Sequence, residues 1–397
     1  MKALPKILAV FGTVLLSCNL IDAPIPLGEK RSSSGSGSGS GLHHGSGQEE
    51  AEESLKADTT FIVSAVVFPD SYDWQRDSAF GAVNCSLRVY RNESIAMELA
   101  AGPAAQVGVS PDKHHFIGTS LFTEYADSRG TVIKKDGELL CRWSEPEKLH
   151  GLVYRDGELY SLGISLSGGG LVYRRNGEVE LRVGDAVLMG GFGHNTYGPE
   201  GALYEDDGHI CFACRKMEKN LNKVSFIMDG TFLEQKSVPA KVLDAKIWHG
   251  QSVLMYSRAG NTMLNIGGHN GNAGKVRSWT NAGVMMLDDS PCIIGTCLDE
   301  RGKNLDAVCA GDRLLTFPAN TAYIYYDGEN AAGVQQPPSD YPGSYFFHRN
   351  CARLLDGRLL AVYTPRNGEE PFLKYGQKLI KYKLHGYLSG VAVEIPD

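Results

Sequence analysis

Paired turn residues recur through most of this sequence and constrain the fold more than any other feature. Asp136-Gly137, Asp156-Gly157 and Asn176-Gly177 follow one another at intervals of 20 residues, and similar pairs continue to Asp356-Gly357. The segments between them are short and rich in Val, Leu, Ile and Tyr. Asp-Gly and Asn-Gly tolerate the positive φ angles of tight hairpin turns, so each pair predicts two antiparallel strands. With no helical period longer than two turns after about residue 59, the sequence predicts an all-β domain.

A unit of four short strands covers residues 150–184, and its second strand has counterparts along the chain. These counterparts lie near Phe61, Phe116, Leu159, Ile210, Val253, Leu314 and Leu359. Four strands every 40–60 residues or so are typical of a β-propeller, and seven such units fit the length. We therefore predict a seven-bladed β-propeller, with six or eight blades as neighbouring counts and a pair of β-sandwiches as the alternative fold. The first unit lacks an inner strand before Phe61, which leaves the closure of the ring open.

The segment GELYSLG…GLVYRRNGEVELRV, within residues 157–183, resembles propeller repeats in lipoproteins of Bacteroidetes-type gut bacteria, most of which have no assigned activity. The unit lacks the Trp-Asp ending of WD repeats, a regular kelch pattern and the Asp box of sialidases. The resemblance extends over about residues 60–397. It implies an extracytoplasmic propeller and transfers no catalytic residue.

The N-terminus predicts export and a lipid anchor. Lys2 and Lys6 precede an apolar run that is too short to span a bilayer, as in a secretory signal peptide. Leu15-Leu16-Ser17-Cys18 then resembles the bacterial lipobox, which implies that Cys18 is lipidated and begins the mature chain. Asn19, rather than Asp, follows the cysteine, as in lipoproteins of the outer membrane. We expect a cell-envelope protein anchored to the outer membrane, on its periplasmic or its surface-exposed side.

Three regions follow from these features. Residues 1–17 are the predicted signal peptide, residues 18–58 a flexible tether, and residues 59–397 the propeller. The tether contains a Gly/Ser tract at 32–47 that has no side chains able to offset the entropy of ordering. By random-coil scaling, about 40 such residues span roughly 35 Å.

The longer connections predict where a ligand binds. With strands named a to d outward from the axis, tight turns fall at the a–b and c–d ends, and long connections at the b–c and d–a ends. We expect binding on the long-connection face, since loops on a rigid scaffold commonly carry function. The candidate side chains there are aromatic or hydrogen-bonding: Trp74, His194, Asn195, Tyr197, His269, Asn270, Tyr341, Tyr345 and Arg366.

Such residues suit either a sugar, whose rings stack on aromatics, or a peptide or protein partner. We therefore expect a binding module for a glycan, a peptide or an envelope protein. The alternative is a carbohydrate-active hydrolase or lyase at the central mouth of the same face, which would need two facing carboxylates. A third hypothesis is an assembly scaffold.

Charge and cysteine content limit other functions. Lys and Arg total 39 against 46 Asp and Glu, a net charge of −7, so we expect no nucleic-acid partner. No metal ion and no cofactor are predicted, because His194 and His269 lack neighbours at ligand spacing. Paired acids such as Asp206-Asp207 are interpreted as solvated turn residues. Beyond Cys18, eight cysteines permit up to four disulfides of undetermined pairing, and the two of Cys211-Phe-Ala-Cys214 are expected to point to opposite sheet faces.

Overall fold

Tight turns build the sheets of this protein, as its sequence predicts. The computed structural model describes residues 20–21, 59–73, 83–103, 114–189, 201–272, 278–285, 291–299, 301–311, 313–318, 321–335, 345–346, 349–365 and 368–396. Strands are numbered along the chain, and β1 is Leu20–Ile21. Among the described residues, no helix has the length and apolar character needed to cross a membrane.

Seven four-stranded blades follow one another around a ring, which confirms the predicted seven-bladed β-propeller. The strands of blades 1 to 3, from the innermost outward, are β33 (Gly386–Glu394), β2 (Thr60–Val67), β3 (Asn84–Arg91) and β4 (Ser94–Pro103); β5 (His114–Ile117), β6 (Ser120–Asp127), β7 (Gly130–Lys135) and β8 (Glu138–Trp143); β9 (Glu147–Arg155), β10 (Glu158–Ser165), β11 (Leu171–Arg175) and β12 (Glu178–Val183). Hydrophobic clusters fill the spaces between neighbouring blades.

Blades 4 to 7 continue the same order. Their strands are β13 (Val187–Leu188) with β14 (Tyr204–Asp206), β15 (His209–Glu218), β16 (Leu221–Met228) and β17 (Thr231–Val238); β18 (Lys241–Trp248), β19 (Gln251–Arg258), β20 (Asn261–Ile266) and β21 (His269–Asn272); β22 (Trp279–Met285), β23 (Cys292–Leu298), β24 (Asn304–Ala310) and β25 (Arg313–Phe317); β28 (Tyr345–Phe346) with β29 (Ala352–Leu355), β30 (Arg358–Pro365), β31 (Phe372–Tyr375) and β32 (Lys378–Lys381). A 3₁₀ turn, Arg349–Cys351, precedes β29. The inner strand of blade 4 is split, because β13 and β14 both pair with β15.

A repeated hydrogen bond explains why the turn residues and the second strands recur together. In blade 3, Asn176 at the c–d turn has φ 50° and accepts a bond from the backbone N–H of Leu159, 2.8 Å away. Asp136 accepts from Leu121 and Asp229 from Ile210 in the same way, both at 2.8 Å. The side chain of each turn residue thus fixes its own hairpin to strand b.

The C-terminal strand closes the ring. β33 pairs antiparallel with β2 and supplies the inner strand that the first unit lacks in sequence order. The hydroxyls of Ser64 and Ser389 lie 2.9 Å apart in this buried pairing. Strands from the two ends of the propeller therefore share one blade.

An extra two-stranded hairpin stands between blades 6 and 7. It consists of β26 (Thr321–Tyr326) and β27 (Ala331–Gln335). One side packs on blade 6 through Ile324, and the other packs on blade 7 through Tyr323 and Val334. The Asp327-Gly328 pair lies in the connection of this hairpin, whereas its sequence predicts a c–d turn within a blade.

Two predicted second-strand positions were also wrong, although the count of seven is confirmed. Phe116 lies in the inner strand β5 of blade 2, whose second strand begins at Ser120. Leu314 lies in the outer strand β25 of blade 6, whose second strand is β23.

The N-terminal region contributes one described contact. Leu20–Ile21 pairs with Tyr345–Phe346, beside blade 7. These two residues belong to the segment predicted as a tether, and the boundaries at residues 17 and 58 stay predictions. Cys18 lies outside the described residues.

Candidate functional site

A groove between blades 4 and 5 is the candidate site. Its volume is about 420 Å³, within the range of ~300–1,000 Å³ typical of small-ligand sites. The described residues that line it are Lys236, Ser237, Val238, Pro239, Ala240, Leu254, Tyr256, Arg258, Asn265, Gly268 and Asn270. They come from the outer strand of blade 4, its connection to blade 5, and the three outer strands of blade 5.

Strand geometry places the polar side chains on facing surfaces. Successive side chains of a strand point to opposite faces, so Tyr256 and Arg258 of β19 share one face of blade 5. Leu254 is paired with Asn265 of β20, and Asn265 with Asn270 of β21, which puts these three in one row across the blade. Lys236 of β17 reaches this row from blade 4.

A directional network joins these groups. The Lys236 ammonium donates to Asn265 Oδ1 at 2.6 Å, Asn265 Nδ2 donates to Asn270 Oδ1 at 2.8 Å, and Tyr256 Oη donates to the same oxygen at 3.2 Å. An ammonium can only donate, which fixes the orientation of both amides. Both amide oxygens are therefore engaged, while the Asn270 NH₂ group makes no hydrogen bond to any described residue.

The groove carries two cationic side chains in different states. Lys236 is 16% exposed and lies 3.5 Å from the carboxylate of Glu234. Arg258 is exposed and forms neither an ion pair nor a side-chain hydrogen bond with the residues the structure describes. No described residue accepts a hydrogen bond from its five N–H donors, which can therefore serve a ligand.

The structure corrects the predicted setting of two candidate residues. The sequence places His269 and Asn270 in a long b–c loop, but Ala259-Gly260 is a two-residue turn and residues 261–272 form β20 and β21. Both residues therefore lie on the outer strand of blade 5, immediately after its c–d turn. Asn270 lines the groove, and His269 is exposed beside it.

None of the remaining candidates is among the described residues that line the groove. Tyr345 lies in β28, where its backbone pairs with Pro365 of blade 7. The others lie outside the described residues: Trp74, His194, Asn195, Tyr197, Tyr341 and Arg366. Their role in binding stays a prediction.

Sequence reasoning missed the other polar groove residues, namely Lys236, Tyr256, Arg258 and Asn265. The alternation of β17 and β19 could have placed Lys236, Tyr256 and Arg258 on sheet faces, but no local pattern shows which blade faces which.

A pair of carboxylates in blade 3 tests the hydrolase alternative. Arg174 Nη2 lies 2.6 Å from Glu147 and 2.8 Å from Glu145, and Arg182 also binds Glu145. Burial raises the pKa of Glu147, whereas the hydrogen bond from Arg182 lowers the pKa of Glu145 to about 2. Opposite shifts are the pattern of a glycosidase pair, but the side chain of Glu147 is 0% exposed and cannot touch a substrate. This cluster is an ion-pair network in which the Arg174–Glu147 pair is buried and the Arg182–Glu145 pair reaches the surface.

A second cluster lies between the a–b turns of blades 4 and 5. Ligand atoms of Asp206, Asp207 and His249 lie within 4.8 Å of one another. Asp206 is buried, and its carboxylate accepts the backbone N–H groups of His249 at 3.0 Å and Gly250 at 3.1 Å. The sequence-based interpretation of Asp206 as a solvated turn acid was therefore wrong. Asp207 is exposed and contacts His249 Nδ1 at 2.7 Å. These hydrogen bonds connect the a–b turn of blade 5 to that of blade 4.

The eight described cysteines are all free. Cys211 and Cys214 belong to hydrophobic clusters on opposite faces of β15, as the strand alternation predicts. Burial raises the pKa of Cys211 to about 12 and that of Cys214 to about 11. Thiols in this state are poor nucleophiles at neutral pH.

Comparison with known proteins gives remote structural likenesses. No protein-family model and no curated protein sequence matches the chain. The acylaminoacyl peptidase of Pyrococcus horikoshii is similar at 8% identity and TM-score 0.38, over 82% of this chain and 51% of that one. A putative dipeptidyl aminopeptidase IV from Bacteroides ovatus is similar at 9% identity and TM-score 0.33, over 78% of this chain and 59% of that one. A puromycin-hydrolyzing peptidase of Mycobacterium tuberculosis is similar at 9% identity and TM-score 0.32, over 80% of this chain and 51% of that one. This chain thus matches only about half to three-fifths of the length of each peptidase.

Proposed function

We propose that this protein is an extracytoplasmic propeller, anchored to the outer membrane through lipidated Cys18, that binds a ligand in the groove between blades 4 and 5. The anchor is supported by the signal-like N-terminus and by Leu15-Leu16-Ser17-Cys18. The ligand classes are those expected from the sequence: a glycan, a peptide or an envelope protein.

One observation carries the binding role: the groove presents unused hydrogen-bond donors from residues that are already held in place. Lys236, Asn265 and Asn270 fix one another through bonds of 2.6 and 2.8 Å, so little side-chain freedom is lost when a ligand arrives. The Asn270 NH₂ group is therefore held in place with no partner among the described residues, and the exposed Arg258 guanidinium lines the same groove.

Binding fits the groove better than glycoside hydrolysis. The described residues that line it include no Asp or Glu. The hydrolase alternative needs two carboxyl groups on either side of the glycosidic bond.

The test is a binding screen of the purified full-length protein on glycan and peptide arrays and on detergent-solubilised envelope extract. Asn270→Ala removes an exposed groove amide, and Asn304→Ala, at an exposed strand end in blade 6, is the matched control. We expect saturable binding that weakens about tenfold or more in Asn270→Ala and is unchanged in Asn304→Ala. A protein that binds none of the three ligand classes would disprove the proposed function.

A further inference from the structure

We infer that the ligand of the groove is a saccharide that carries an anionic group. This inference rests on the proposed function and narrows its ligand class. It follows from which hydrogen-bonding atoms of the groove are already used and which are free.

The hydrogen-bonding groups of the groove that are not already used are mostly donors. Asn265 Oδ1 is occupied by Lys236, and Asn270 Oδ1 accepts from both Asn265 and Tyr256. The described side chains that line the groove still offer three donors, which are the Asn270 NH₂ group, the Arg258 guanidinium and the remaining proton of the Lys236 ammonium. The Ser237 and Tyr256 hydroxyls can donate or accept. A ligand that uses the three donors is rich in acceptors.

Charge points the same way. Two cationic side chains line the groove, and no carboxylate is among the described residues that line it. Arg258 has no acidic partner among the described residues, and its planar fork matches two oxygens of one carboxylate or sulfate. We therefore place the anionic group of the ligand at Arg258.

The rest of the lining favours a sugar over an acidic peptide. Val238 and Leu254 are buried and apolar, and the Tyr256 ring stands next to them. Such a floor suits the C–H face of a pyranose, while Asn270 and Lys236 can donate to ring and hydroxyl oxygens. The volume of about 420 Å³ is at the small end for ligand sites, which suits a short saccharide.

Titration calorimetry of the full-length protein tests the inference with four probes. They are trigalacturonate, its uncharged methyl ester, a sulfated galactose disaccharide and triglutamate. The ester keeps the sugar and removes the charge, the sulfated sugar distinguishes sulfate from carboxylate, and triglutamate keeps the charge and removes the sugar.

We expect trigalacturonate or the sulfated disaccharide to bind at least tenfold more tightly than the ester. Arg258→Gln should weaken that binding about tenfold, and the affinity should fall as salt is raised. Arg301→Gln removes one exposed positive charge from a turn of blade 6 and should leave the affinity for the anionic sugar unchanged. Both arginines are exposed, so neither change threatens the fold.

Three results would overturn the inference. The first is ester binding as tight as that of the anionic sugars, and the second is an absence of binding by both anionic sugars. In either case the proposed function still depends on the broader array screen. The third is triglutamate binding that is tighter and sensitive to Arg258→Gln, which would make the ligand an acidic peptide.

Discussion

Replacing Arg174 by Met should destabilise the propeller strongly, because this arginine neutralises a fully buried carboxylate. Its side chain is 6% exposed and that of Glu147 is 0% exposed. Arg174 donates to Glu147 from Nε at 2.9 Å and from Nη2 at 2.6 Å, and its Nη1 donates to the carbonyl of Gly177 at 2.9 Å. The Arg174→Met variant leaves Glu147 buried without a cation.

The expected loss in the free energy of unfolding is about 3–5 kcal/mol at neutral pH, the usual cost of removing one partner of a buried ion pair. Glu145 adds little to this loss, because it keeps its two bonds to Arg182, at 3.0 and 2.7 Å. The variant Glu147→Met with Arg174→Met removes both buried charges and should recover most of the stability.

The loss should also depend on pH. Burial already raises the pKa of Glu147 above its ordinary value, against the opposing effect of Arg174. Without Arg174 that pKa rises further. A carboxyl group whose pKa is higher in the folded state favours folding when it is protonated, so the cost of Arg174→Met should shrink as the pH falls from 8 to 5.

Urea unfolding followed by tryptophan fluorescence measures the effect, since the Trp143 ring lies 5.1 Å from the guanidinium. Arg175→Met is the matched control: it is the next residue of β11, and its partner Glu158 lies on the surface. The reasoning would be refuted if Arg174→Met were as stable as Arg175→Met. It would also be refuted if the loss in the free energy of unfolding did not change with pH.

Three further predictions concern the Arg182–Glu145 ion pair, the Asp206 hydrogen bonds between blades 4 and 5, and the lipid anchor at Cys18. Because the Arg182 hydrogen bond lowers the pKa of Glu145 from 4.5 to about 2, its stabilising contribution is complete above pH 4.5 and is lost as the pH falls toward 2; Arg182→Gln should flatten this acid-side decline in urea midpoints. Asp206→Ala leaves two backbone N–H groups without their acceptor and should cost about 1–3 kcal/mol in the same assay. Asp207→Asn, at an exposed neighbour whose φ of 47° asparagine also tolerates, should cost much less. Cys18→Ala should release the protein from membranes on fractionation, and a variant that stays in the membrane pellet would contradict the anchor.

The blades could be predicted from the sequence because their signals are local. A turn residue such as Asn176 adopts a positive φ and accepts a hydrogen bond from strand b. Because few residue types can do both, the turn of each hairpin can be recognised in the sequence. The same pattern occurs at Asn92, which accepts from Phe61 at 3.0 Å, although Asn92 lacks a following glycine. The inner strand of blade 1 was not predicted, because it comes from the opposite end of the domain.

The errors have physical causes as well. Ala259 adopts φ 48°, a conformation that alanine seldom takes, so the turn at Ala259-Gly260 lacks the Asp-Gly or Asn-Gly pair that predicts the other hairpins. Strands β20 and β21 were therefore interpreted as one long loop, which put His269 and Asn270 on the wrong part of the blade. The groove itself depends on contacts between two blades, and sequence periodicity shows only which residues share a face.

The most direct test of the binding site is hydrogen–deuterium exchange of the full-length protein with and without a saturating concentration of whichever anionic sugar binds more tightly, trigalacturonate or the sulfated disaccharide. Ligand bound between blades 4 and 5 should slow exchange of backbone amides in residues 236–240 and 265–270. Exchange in β6 and β7 of blade 2 should not change. When the experiment is repeated at a ligand concentration equal to the wild-type dissociation constant, the protection should fall several-fold in Arg258→Gln. Bound ligand that protects amides elsewhere on the ring, while residues 236–240 and 265–270 exchange as before, would contradict the account.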